Sequence, residues 1–330
     1  MDKNDVFFEV NNLESEDYIQ SANTLFHFMK DFRFLKMALQ NKALGARFCV
    51  EDISYLNLNL DGKPTTKIAV LVKCFCDIPL TMAVKPSKVR VEESSVKEVQ
   101  AKTGYSISSV EEMSHTDFYG SFGIAFSKKW CKDKNIQPVH YLEPTSYYTQ
   151  QLGSYIQRQI DQDSISDLDF EDAFLRLSYI KPLRGTMSRN KEFLSKDKKN
   201  KDKTIKQDIK IFYQKNFHNE KEWRFVPKMK DIQTVFPEEY PVILNDETAS
   251  TIDIDEKYAN HRSNPLAAQK VCSLLFEYED IRYLIVPGAT ERRDLIKFID
   301  SLSFNGEHPQ DDKYLLCSKI ITLDEVRKDM

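Results

Sequence analysis

The stretch Ile68-Ala69-Val70-Leu71-Val72-Lys73-Cys74-Phe75-Cys76-Asp77-Ile78-Pro79-Leu80 decides the fold. Its first nine residues form a short, almost continuous apolar run rich in β-branched side chains. That is the pattern of a strand covered on both faces. Pro79 lacks the amide that a strand ladder needs and ends the run. Further strands and helices follow on either side, which predicts an α+β chain. The expected core is one or more mixed, mainly antiparallel sheets with flanking helices.

Upstream, Thr24-Leu25-Phe26-His27-Phe28 reads as a short strand, and a helix is predicted from about Asp31. Phe34, Leu35, Ala38 and Leu39 recur there at helical spacing on one face. Downstream, Ser121–Phe126 is a predicted strand, and Ser127-Lys128-Lys129-Trp130 a capped helical turn. Pro138–Leu142 reads as another strand, with helices from Ser146 to about Ile160 and from Asp169 to about Ile180. Glu222–Val226, Pro241–Leu244 and Ile281–Val286 are predicted strands. A helix follows that last strand, with Leu295, Phe298, Ile299 and Leu302 on one face, and Leu315–Ile321 is expected as the closing strand.

Two stretches break this pattern. Ala83–Met113 is charged, with Val89, Val91, Val96 and Val99 scattered through it, and reads as an inserted segment carrying a helix. Lys191–Lys206 holds seven lysines against three acids and reads as a solvated loop. A phosphate-contacting surface on that loop is the sharper alternative. The expected organisation is a peripheral segment over residues 1–23, then a single domain over 24–330.

Composition sets limits on function. The 330 residues carry 47 basic and 51 acidic side chains, a net charge of −4, where a duplex-binding domain would be basic. With 21 Phe and 15 Tyr against 9 Gly, the chain expects a packed interior with many ring contacts. Among the six cysteines only Cys74 and Cys76 are close, and C-x-C without a second pair is not a zinc site. No metal centre is expected. Met1–Asn12 lacks a basic leader and an apolar core, and the apolar runs are too short to span a bilayer. A cytoplasmic location is the expectation.

Polar residues in four segments stand out against these apolar surroundings. On a strand, His27 faces away from Phe26 and Phe28. Asp77 sits at the end of an apolar strand, where a carboxylate must find donors or shift its pKa. His115 and Tyr119 are four residues apart, hence on one face of a helix, beside Gly120 and Gly123. Glu222 and Arg224 share a strand face and can pair with each other or hold an anion. For each, packing is the ordinary reading and a ligand cleft the sharper one. No H-E-x-x-H, G-x-S-x-G or catalytic-cysteine pattern is present.

Taken in order, these segments resemble the AbiGi family of abortive-infection, phage-resistance proteins. The resemblance rests on Phe26-His27-Phe28-Met29-Lys30, the strand Cys74–Leu80, the block His115–Ile124 and Lys128-x-Trp130. It continues through Pro138-Val139-x-Tyr141, Ile180-Lys181-Pro182, Glu222-Trp223-Arg224-x-Val226-Pro227 and Asp280–Val286. One departure is that Ala83–Met113 intervenes where the family runs almost directly from strand to histidine block. The resemblance implies a bacterial defence role as the antitoxin-like, sensing or partner-binding half of a two-gene system. The other half of such a system resembles a nucleotidyltransferase toxin.

A weaker resemblance is to ADP-ribosyltransferase-like folds, with NAD held between split sheets. It implies His27, Tyr119 and Glu222 as catalytic residues, while Asp77, His115 and Arg224 are the candidate ligand contacts that the residue pattern itself offers. Histidine and tyrosine would hold NAD while glutamate positions the ribose, which requires the side chains to converge. Apart from NAD under this second reading, no cofactor is implied. The expected partner is a protein, with nucleic acid contact confined to Lys191–Lys206 and no membrane.

Overall fold

A computed structural model describes residues 23–60, 62–161, 167–196, 204–237, 242–243, 256–304 and 308–329. The peripheral segment expected before Asn23 therefore lies outside the described residues, but for Asn23 itself, as do 197–203 of the lysine-rich stretch, Pro241 and Leu244.

Lys67–Cys76 forms the predicted strand, and Ile68–Val72 are buried on both faces. It is long enough to carry neighbours along its whole length. Arg47–Asp52 and Val242–Ile243 pair with its first half, while Thr24–Met29 and Glu222–Phe225 flank its second half. From there the sheet continues through Phe122–Ser127 and Ile281–Val286 to Ile320–Thr322. Every pairing in this nine-stranded sheet is antiparallel except the last. Helices cover both faces, so the chain is α+β.

Local chemistry explains the flanking helices. Asp31 caps Phe32–Asn41 by accepting from the Arg33 amide, and Leu35, Ala38 and Leu39 are its buried stripe. Phe34, expected on that stripe, is 49% exposed. Ser127 caps Lys128–Asp133 and Ser146 caps Tyr147–Ile160, as their positions predict. The expected strand Pro138–Leu142 is divided. Gln137–Pro138 joins the large sheet, while His140–Leu142 pairs in parallel with Ile180–Pro182.

A second sheet of four strands packs beside the first. A long hairpin forms one side of it, with Arg184–Lys196 as the edge strand against Thr204–Asn216, in unbroken register from Arg184↔Asn216 to Lys196↔Thr204. The solvated-loop reading of Lys191–Lys206 is thus corrected wherever the structure describes it. Met187, Phe193, Ile209, Ile211 and Tyr213 alternate inward at the period of a strand, a signal that the lysines between them mask. Lys191 itself turns inward and pairs with Glu111.

Ala83–Met113 contributes Ser87–Val91 and Val110–Met113 to this sheet, and its helix Glu93–Thr103 covers the inner face. Val89, Val91 and Val99 join the hairpin's core. One further expectation is corrected. Most of Leu315–Ile321 is helix: Pro309–Ser318 precedes a strand of only Ile320–Thr322. Pro309 at the first helical position, followed by Asp311 and Asp312, starts a helix in keeping with the dipole.

Candidate functional site

Register decides which candidate side chains can meet. Phe26 pairs with Cys76, and Cys76 with Glu222, so these three point to one face of the sheet. Arg224, opposite Cys74, shares that face. His27 pairs with Ile124 and points to the other, alongside Phe75 and Phe126. There its ring lies 5.7 Å from Phe75, and its Nδ1–H donates to the Cys74 carbonyl at 2.8 Å. Burial, with Lys73 nearby, lowers its pKa to about 3, so the imidazole is neutral.

His115 and Tyr119 lie on the short helix His115–Tyr119, on the Glu222 side. Ser114 and Asp117 form a capping box at its start. Gly120 ends it at φ +109°, where a Cβ would stand 2.1 Å from the Met29 carbonyl oxygen. Only glycine permits that approach, and it presses the helix onto the first strand. The His115 and Tyr119 rings lie 4.4 Å apart, tilted by 33°, and Phe28 meets His115 edge-on at 5.5 Å. No hydrogen bond reaches His115 among the described residues. Burial, reinforced by Lys215, takes its pKa down to about 3.

Tyr119 donates its hydroxyl hydrogen bond to Glu220. Around this pair the structure assembles a buried ionic network that includes residues not singled out as candidates. Lys215 Nζ stands 2.6 Å from Glu220 Oε1 and donates to the Tyr119 hydroxyl at 3.5 Å. Lys181 Nζ lies between two carboxylates, 3.3 Å from Glu220 and 2.9 Å from Glu222. It also sits 4.4 Å above the Phe217 ring. The Arg224 guanidinium is fully buried. It holds Glu222 through Nε at 2.7 Å, donates to the Ser178 carbonyl at 2.9 Å and pairs with Glu51.

Three carboxylates (Glu51, Glu220, Glu222) thus meet three cations (Lys181, Lys215, Arg224). Burial alone would raise the pKa of both glutamates 220 and 222. Arg224 and Lys181 at Glu222, and Lys181 and Lys215 at Glu220, outweigh it and hold both below the usual range. The same carboxylates keep Lys181 charged against its burial. At Lys215, burial wins over Glu220 and lowers the pKa. Tyr119 is pushed well up by burial and by Glu220.

Asp77 stands apart from this network. It ends the long strand, 6% exposed, with Oδ2 2.7 Å from Lys128 Nζ. Its Oδ1 accepts no hydrogen bond among the described residues. Of the six candidates, then, His115, Tyr119, Glu222 and Arg224 share one side of the sheet; Tyr119, Glu222 and Arg224 are linked through Glu220, Lys181 and Lys215, and His115 meets them only through the Tyr119 ring. His27 is on the opposite face, and Asp77 pairs with Lys128. The convergence of His27 with Tyr119 and Glu222 that NAD chemistry would need is not formed. Among the described residues no cluster of three or more His, Cys, Asp or Glu side chains could hold a metal, and no helix is long and apolar enough to cross a membrane.

Comparison with known proteins adds to this geometry. A family described as "Putative abortive phage resistance protein AbiGi, antitoxin" matches residues 99–287. A Lactococcus lactis subsp. cremoris protein named Abortive phage resistance protein AbiGi is 29% identical over 291 residues, which is 86% of this chain and 98% of that protein. No solved structure matches.

Proposed function

The chain belongs to the AbiGi family of abortive phage resistance proteins, which places it in anti-phage defence, and from that premise we propose that it is an antitoxin-like component acting in the cytoplasm by binding a protein partner. One observation carries the binding reading. The carboxylates a catalytic site would need, Glu220 and Glu222, are already engaged by Lys181, Lys215, Arg224 and Tyr119. A carboxylate gripped by two cations is a poor base, because its pKa is depressed far below neutral. The network works as a joint. It ties the hairpin, the turn before Glu222, the Ile180–Pro182 strand and the large sheet into one rigid scaffold for presenting a surface.

The test is neutralisation by direct contact. The chain is co-expressed with the product of the gene adjacent to its own, then both are purified and mixed. Rescue of growth together with a stoichiometric complex on gel filtration supports the proposal. Rescue without any complex, or no rescue, overturns it.

A further inference from the structure

Among the described residues nothing packs over the outer face of the four-stranded sheet, which carries an unusual set of side chains. Strand alternation turns Arg184, Thr186 and Ser188 outward on one hairpin arm, and Phe212, Gln214 and Asn216 on the other. Lys88 and Arg90 point the same way from the neighbouring strand. An open groove of about 440 Å³ runs across them, lined by Arg90, Glu92, Arg184, Thr186, Gln214 and Asn216 among others. Lys88, Arg90 and Arg184 are exposed, and none forms an ion pair among the described residues. This contrasts with the lysines nearer the hairpin tip, where Lys206 is held by Glu192 and Lys191 by Glu111.

We propose that this sheet face, built on Arg90, Arg184 and Phe212, binds single-stranded nucleic acid. The inference goes beyond the antitoxin reading and does not depend on it. Register places Gln214 directly between Arg90 and Thr186, with Arg184 one row along beside Asn216. Neighbouring strands are about 4.8 Å apart, so the two arginine Cα positions are separated by roughly 12 Å. Their long side chains flank the amides of Gln214 and Asn216, and both chemistries suit phosphate oxygens. Phe212, 36% exposed in the next row, offers a ring on which a base can stack, with Lys210 Nζ 5.7 Å from its centroid.

The charge balance selects the form of nucleic acid. Four exposed cations, Lys88, Arg90, Arg184 and Lys210, stand near Glu92 and Glu112 on a chain of net charge −4, too little for the two phosphate backbones of a duplex. A short single strand needs only a few phosphate contacts. Glu92 in the groove can accept from a base amino group, so it need not repel the ligand.

The experiment is fluorescence anisotropy of the full chain with labelled 12-nucleotide single-stranded RNA and DNA of mixed sequence, the matching duplex and a poly-glutamate peptide. Single strands are expected to bind in preference to the duplex. Three phosphate contacts give a slope of log affinity against log salt of about −2. Arg90→Ala with Arg184→Ala should weaken binding at least tenfold and reduce that slope to about −0.7. Phe212→Ala should weaken it about tenfold with the slope unchanged. Lys206→Ala, outside the groove, should change neither. All four side chains are exposed, so equal melting temperatures will show that the variants fold. No binding by the parent chain, preference for the duplex, equal binding of poly-glutamate, or indifference to the double arginine variant would each overturn the proposal.

Discussion

Lys181 Nζ sits 2.9 Å from the Glu222 carboxylate, joining two strands that share no backbone ladder. Both side chains are almost wholly buried, at 9% and 6% exposure. A buried ion pair adds little net stability over apolar packing, yet losing one partner costs heavily because it strands the other's charge. This asymmetry is the basis of the first prediction.

Lys181→Met should destabilise the chain by about 3–5 kcal/mol, read from urea unfolding, since it leaves three carboxylates against two cations. Adding Glu220→Gln restores the balance and should recover part of the loss. A double variant no more stable than the single one would show that charge balance is not what the network supplies.

Stability should fall as pH drops below 6.5. His27 and His115 have an ordinary pKa of 6.5 and are held at about 3 in the fold. Between those values the unfolded chain takes up protons that the folded chain refuses. Each histidine then costs up to about 1.4 kcal/mol per pH unit, with full stability present above 6.5. The depressed pKa values of Glu220 and Glu222 add a further loss once pH falls below their ordinary value of 4.5. His115→Gln should flatten the upper part of this dependence, measured as urea midpoints at pH 7 and pH 5. Equal midpoints at the two pH values in the parent chain would contradict it.

Gly120→Ala should cost about 2–4 kcal/mol. The added Cβ meets the Met29 carbonyl oxygen, and the backbone sits at a φ that alanine resists. A melting temperature within a degree of the parent would show that the helix His115–Tyr119 does not press on the first strand as described.

Much of the fold was legible because burial leaves a plain imprint. The continuous run Ile68–Val72, the Ser127 and Ser146 caps and the Leu295–Ile299 stripe each marked their element. The hairpin was hidden because its charged outer residues interrupt the apolar period, and the Pro309 helix because its apolar residues cluster near its end. At the site, alternation did place Glu222 and Arg224 on one face. It could not show that Lys181 and Lys215 arrive from other strands, or that His27 falls on the opposite face. That depends on pairing between residues far apart in the chain. The Glu220-x-Glu222-x-Arg224 spacing was the one local signal that pointed to the wider network.

Hydrogen exchange can check the hairpin. Alternate amides of Lys191–Ser195 should be protected together with alternate amides of Gln207–Ile211, as a two-stranded antiparallel ladder requires. Exchange at the rate of an open loop would restore the solvated reading of that stretch.

Protection against phage, measured as efficiency of plating with His115→Ala and Tyr119→Phe, tests most directly whether the network is a joint or a reaction centre. His115 makes no hydrogen bond among the described residues, and phenylalanine keeps the Tyr119 ring, so both variants should fold. Binding as the mode of action predicts that plating stays within a factor of about three of the parent, given matched melting temperatures. Loss of protection by either folded variant would contradict it.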